Sequence, residues 1–95
     1  MAEAEVEVLN PSGLHARPAA AFVRAAGGFS ADVRVTNLSR DGREASAKSV
    51  LGVMALGVSQ GHRIRIAAEG VDAGDAVARL TELVAAGLGE EIGGS

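Results

Sequence analysis

Residues 13–19 read Gly13-Leu14-His15-Ala16-Arg17-Pro18-Ala19 and place one of only two histidines two positions before an arginine. An imidazole is partly neutral at physiological pH, so a free ring nitrogen can attack a phosphoryl donor. A guanidinium beside it carries a permanent charge and a planar fork that holds phosphate oxygens. Asn10-Pro11-Ser12-Gly13 is a turn signal, and the spacing of Ala16, Ala19, Ala20 and Val23, widened by Phe22 and Ala26, predicts an amphipathic helix over 16–27. His15 then stands at a helix entrance, where unpaired backbone N–H groups and aligned peptide dipoles favour an anion. The chain has no G-x-x-x-x-G-K-[ST] loop, and no acidic cluster for Mg²⁺ stands beside His15 in the sequence. The residues therefore suit carrying a phosphoryl group better than taking one from ATP. A histidine in this position is also commonly an ordinary cap, and local chemistry leaves both readings open.

The elements that must position these residues follow from periodicity. Ala4, Val6 and Val8 alternate with Glu3, Glu5 and Glu7, which predicts a half-buried strand over 3–9. Pro18 fits the first turn of the helix, and Gly27-Gly28 is expected to stop it in a left-handed conformation. Ala31, Val33 and Val35 alternate with polar residues as a second strand. Residues 37–43, with Asp41-Gly42, read as a hairpin connection to a third strand at 43–47. Ser49 is the expected N-cap of a short helix carrying Val50, Leu51, Val53 and Met54, with Gly57 ending it. Of these four apolar residues, Val53 is the one expected in the core. A fourth strand opens at His62, and Asp72 is the expected cap of a last helix through Ala73, Ala76, Val77, Leu80, Leu83 and Val84, ended by Gly87 and Gly89.

The predicted order is βαββαβα, an α+β open-faced β-sandwich: a four-stranded antiparallel sheet with three helices on one face. Residues 1–89 are read as one domain and 90–95 as a flexible C-terminal tail. Of the 95 residues, 47% are apolar but only 2% aromatic, so the core must be aliphatic and rich in Ala. The absence of cysteine removes disulfides and thiolate metal sites and fits a cytoplasmic setting. Two separated histidines do not make a metal site, and no cofactor is expected. A net charge of −3 without Trp or Tyr argues against a nucleic-acid footprint. The longest uncharged run, residues 49–61, falls short of the roughly 20 apolar residues of a membrane span.

The run Gly13 to Ala19 resembles the active-site signature of HPr, the histidine-containing phosphocarrier family of the phosphoenolpyruvate-dependent sugar phosphotransferase system. Lys48-Ser49-Val50-Leu51-Gly52-Val53-Met54, with Leu56-Gly57, resembles that family's regulatory-serine segment. The two blocks fall at the expected places in a chain of the expected length and element order. The resemblance implies a carrier rather than a turnover enzyme. Enzyme I would phosphorylate His15 at Nδ1, and His15 would pass the group to IIA domains of sugar permeases. Arg17 would support the phosphate together with Ser12 and Ala16. Ala20, Arg24, Val50, Leu51 and Met54 would form the docking patch, although core packing is an equally good reading of the apolar ones. Ser49 would be the target of a serine kinase/phosphorylase in some bacteria, linked to a catabolite-control regulator; an ordinary N-cap explains it equally well. A monomer is expected, since successive partners must meet the same surface. The connection over residues 36–44 is longer than the family's usual one. Ser46 is assigned no role; His62 matches no functional position and is read as a structural or solvent-facing residue.

Other readings keep the fold and change the circuit. A nitrogen-related or dihydroxyacetone-kinase phosphorelay would use the same His15, and a non-phosphorylated regulatory module would need neither His15 nor Arg17. A small ligand-binding enzyme domain lacks any carboxylate pair or nucleophilic triad in this sequence.

Overall fold

A computed structural model describes residues 1–40 and 42–90. In chain order the elements are β1 (Ala2–Glu7), α1 (Ala16–Ala26), β2 (Asp32–Asn37), β3 (Glu44–Ser46), α2 (Val50–Ala55), β4 (Arg63–Glu69) and α3 (Ala73–Ala85). This is the βαββαβα order expected from the periodicity. The four strands form one antiparallel sheet in the order β1-β4-β2-β3. Asp41 of the expected hairpin and residues 91–95 of the expected tail lie outside the described residues.

Alternation decides the two faces of the sheet. Glu5 stands opposite Arg65 and Val6 opposite Ile64, so the acidic side of β1 meets the basic side of β4 while the apolar sides turn to the helices. Arg63 Nη2 lies 4.0 Å from Glu5 Oε1 across this face. Both groups are about half exposed, so the pair contributes little. On the other face, Val33, Val35, Ile64 and Ile66 are fully buried against Phe22 of α1 and Leu80 of α3. Alanines at 19, 26, 68 and 76 are also buried and let the helices approach the sheet closely. Among the described residues no helix is long and apolar enough to cross a membrane.

The six-residue α2 is too short to be stable alone. Ser49 Oγ accepts from the Gly52 N–H at 3.0 Å, as expected of an N-cap, and Val53 anchors the helix in the core. Gly57 ends it with φ +65°, and a side chain there would also overlap the Arg40 guanidinium.

Three local expectations are corrected. Gly27 is right-handed, with φ −65°, and the chain leaves α1 through tight turns in which the Gly28 and Phe29 N–H groups donate to the Ala25 and Ala26 carbonyls. Strand β1 covers Ala2–Glu7 rather than 3–9, and β4 covers Arg63–Glu69 rather than 62–66, because these two strands pair in register from Ala2↔Ala68 to Glu7↔Arg63. Asp72 occupies the N-cap position of α3, but its side chain does not cap that helix. Its Oδ2 and Oδ1 instead accept the N–H groups of Ser30 and Ala31, each at 2.8 Å, and so join the segment after α1 to the start of α3.

Of the two readings of His62, the structural one holds. Its Nδ1 accepts the Ser59 N–H at 3.1 Å and faces Asn37 Nδ2 at 3.3 Å, while Asn37 Nδ2 also donates to the Leu56 carbonyl. An acceptor at Nδ1 puts the neutral ring's proton on Nε2.

The Ser30 N–H above all, with the Ala31 N–H and the Lys48 charge, holds the Asp72 carboxyl below its usual range against the opposing effect of burial. A lowered folded-state pKa stabilises the fold above the unfolded value, and that stabilisation is lost as the pH falls through the folded value. Asp72→Asn should therefore lower the urea midpoint at neutral pH, with the gap to the parent protein narrowing on acidification from about pH 6 to pH 3. Urea unfolding followed by circular dichroism across that range checks it.

Candidate functional site

The loop from β1 to α1 is seated from below by the segment that follows α2. Gly13 has φ +60°, and any side chain there would overlap the Val58 carbonyl oxygen and lie 2.8 Å from Ser59 Cα. Leu14, fully buried, donates its N–H to that same Val58 carbonyl at 3.1 Å. A residue with its side chain locked in the core is thus followed by His15, which is exposed.

His15 is the N-cap of α1, with φ −121° and ψ 155°, and its side chain makes no capping hydrogen bond. Its ring is not spent on holding its own helix. The next residue, Ala16, has φ +47°, a left-handed conformation that L-residues other than Gly, Asn and Asp rarely adopt. The strain, about 1–2 kcal/mol, is held by the buried Leu14 on one side and by the buried Pro18 and Ala19 on the other. No preceding helical turn offers carbonyls to the N–H groups of Ala16 and Arg17. Arg17 is exposed in this first turn.

The Ser12 hydroxyl donates to Glu90 Oε2 at 2.8 Å, while its N–H donates to Glu90 Oε1 at 3.0 Å. Asn10, fully buried, donates its Nδ2 to the Gly13 carbonyl at 2.8 Å and to Glu90 Oε1 at 3.0 Å. The Asn10 bond foremost, then the Ser12 N–H and hydroxyl and the Arg17 charge, hold the Glu90 carboxyl below its usual range. Glu90, read from the sequence as the start of a flexible tail, is therefore fastened to the turn that carries His15. Asn10 and Glu90 were not legible as site residues. Asn10 precedes Gly13 by a turn spacing that could have drawn attention, but nothing in the sequence links it to a residue eighty positions later.

Helix α1 packs against α2, which brings the second expected group alongside the first. Leu51 is 81% exposed and Val50 39%, Met54 and Ala20 are half-buried, and Arg24 is exposed. Val53 turns into the core. Ser49 is exposed at the start of α2.

Fold and site together describe a small open-faced α+β domain with an unencumbered histidine at the mouth of its first helix. The family described as PTS HPr component phosphorylation site matches residues 2–86. The chain belongs to this HPr family of phosphocarrier proteins. It is 46% identical over 87 residues to a multiphosphoryl transfer protein of Escherichia coli O157:H7, a match covering 92% of this chain and 23% of the relative. A multiphosphoryl transfer protein of Haemophilus influenzae is 45% identical over 85 residues, covering 90% of this chain and 17% of the relative. The chain thus spans less than a quarter of the length of these curated relatives. Among solved structures, HPr-C-His from Thermoanaerobacter tengcongensis superposes with a TM-score of 0.89 at 43% identity, covering 97% of this chain and all of that one. The phosphocarrier protein HPr of Bacillus anthracis superposes with a TM-score of 0.81 at 40% identity, covering 87% and 95% of the two chains.

The left-handed Ala16 makes a comparison of two glycine substitutions informative. Ala21→Gly, inside α1, should destabilise by about 1 kcal/mol. Ala16→Gly should leave stability unchanged or raise it, because relief of the left-handed strain offsets the added freedom of the unfolded chain. Urea denaturation of both variants checks the contrast.

Proposed function

We propose that the chain carries a phosphoryl group on His15 between a phosphorylated enzyme I and IIA domains of sugar permeases. The observation that carries this reading is the exposed His15 ring, unused as a cap, at the entrance of α1 in a chain of the HPr family. The Nδ1 lone pair attacks the phosphorus of the donor phosphohistidine. A P–Nδ1 bond forms, the donor P–N bond breaks, and its electron pair returns to the donor imidazole. The transferred dianion is met by the Arg17 guanidinium and by the leading N–H groups of α1, that of Ala16 among them, with Ser12 contributing its donors. Delivery to IIA repeats the displacement with His15 as the leaving group. An acceptor that is exposed and supported only by surface groups suits an intermediate that must be gained and lost with little change in free energy.

Docking uses the surface beside His15. Leu51 and Val50 supply exposed apolar area, with Met54 and Ala20 at its edge and Arg24 as a charged rim. Ser49 stands at the start of α2, next to this patch. Phosphorylation by a serine kinase would be tolerated by the helix terminus but would put about two negative charges at the apolar contact, weakening enzyme I binding and leaving the fold intact.

After incubation with phosphoenolpyruvate, Mg²⁺ and enzyme I, intact-mass measurement should show one acid-labile phosphoryl group, absent from His15→Ala. A folded protein left unmodified by an enzyme I that loads a control carrier would contradict the reading. Ser49→Asp should raise the KM for this carrier as substrate of enzyme I by roughly tenfold with an unchanged circular dichroism spectrum; steady-state phosphorylation kinetics check it.

A further inference from the structure

The stretch that forms α2 and its exit, residues 49–61, contains no charged side chain, so any charge beside the apolar patch comes from a neighbouring element. Lys48, at the start of α2, is engaged elsewhere: its Nζ donates to the Phe29 carbonyl at 2.7 Å. At the other end of α2 the cation is Arg40, which arrives from the connection after β2. That connection is fixed before it reaches Arg40. The Leu38 N–H donates to the Arg63 carbonyl, the Arg63 N–H donates to Ser39 Oγ at 2.8 Å, and the Ser39 N–H donates to Asn37 Oδ1 at 3.0 Å. Asn37 Nδ2 in turn donates to the carbonyl of Leu56, the C-cap of α2, which ties the connection to the end of that helix.

Arg40 then lies over Gly57, where a side-chain carbon would overlap Nη1 and stand 3.4 Å from Cζ. The Gly57 N–H donates to the Met54 carbonyl, and Val58, the next residue, supplies the carbonyl that seats Leu14. The guanidinium is therefore placed where the edge of the patch at Met54 meets the segment beneath the His15 turn. It is exposed, and among the described residues it makes no hydrogen bond or ion pair. A cation against the C-terminal end of a helix is favoured by the carbonyls there, but that attraction leaves the N–H fork unspent. We propose that Arg40 is a docking residue that receives a carboxylate of enzyme I, so that the apolar patch is framed by Arg24 from α1 and Arg40 from the β2–β3 connection. This inference rests on the carrier reading. Enzyme I is the partner because it meets the carrier with His15 empty, when no phosphoryl dianion offsets these cations. A dianion on His15 lowers the attraction to an acidic surface and helps the loaded carrier leave.

The test is steady-state loading of the full chain by enzyme I, with phosphoenolpyruvate and Mg²⁺, over a series of NaCl concentrations. Arg40→Ala should raise the KM for the carrier about three- to fivefold at low salt with kcat unchanged, and Arg40→Glu should raise it roughly tenfold. Arg40→Lys, which keeps the charge, should stay within about twofold of the parent. The gap between Arg40→Ala and the parent should close as the salt approaches about 0.5 M. The urea midpoints of Arg40→Ala and Arg40→Lys should match the parent's. A KM for Arg40→Ala equal to the parent's at low salt, even with slower delivery to a IIA domain, would overturn the proposal and leave the carrier reading intact. A raised KM that is insensitive to salt and accompanied by a lowered urea midpoint would reduce Arg40 to a structural clamp on α2 and overturn it too. A parent chain left unloaded by an enzyme I that loads a control carrier would remove both.

Discussion

Leu14 donates its N–H to the Val58 carbonyl, and Gly13 lies so close to the same carbonyl that no side chain fits between them. A hydrogen bond of this kind contributes only about 1 kcal/mol. Its larger effect is geometric. It fixes the loop between β1 and α1 onto the segment between α2 and β4, so the backbone on one side of His15 is set by the core rather than by the histidine itself. Because Leu14 is buried and Ala19 is buried, the intervening residues must cross from one anchor to the other, and Ala16 crosses in a left-handed conformation. The His15 side chain is thereby left without a capping hydrogen bond.

The same economy appears in how the remaining polar groups are used. His62 is committed through Nδ1 to Ser59 and Asn37, and it stiffens the segment on which Leu14 rests. The two histidines thus differ in hydrogen bonding: Nδ1 of His62 is engaged, and the His15 side chain makes no capping bond. Asp72 ties the segment after α1 to the start of α3, and Glu90 ties the segment after α3 to the start of α1. Helix α1 is framed at both ends by carboxylates that arrive from distant parts of the chain, and neither belongs to its own sequence neighbourhood.

That separation explains what could be read from the sequence. Strand alternation, the apolar stripe of α1, the Ser49 cap and the Gly57 stop are local, and each depends on residues within about two turns of one another. His15 and Arg17 were legible because their spacing relative to a turn and a helix start is also local. The partners of Asp72, Glu90 and Asn10 were not. A carboxylate next to a helix start reads as its cap, and only the tertiary fold shows that Ser30 and Ala31 take the Asp72 side chain instead. Glu90 follows a Gly-rich stretch that reads as a loose end, and the burial of Leu88 that makes the segment rigid has no periodic signature.

We propose that His15, whose side chain makes no capping hydrogen bond, is the phosphoryl acceptor, whereas the contacts at Nδ1 commit His62 to the fold. Long-range ¹H–¹⁵N correlation of the two imidazoles, with ³¹P detection, before and after phosphorylation by enzyme I, tests it directly. The account predicts a phosphoryl group on Nδ1 of His15, with the His62 pattern remaining that of a neutral ring protonated at Nε2. Phosphorus found on His62, or on no imidazole of a modified protein, would contradict it.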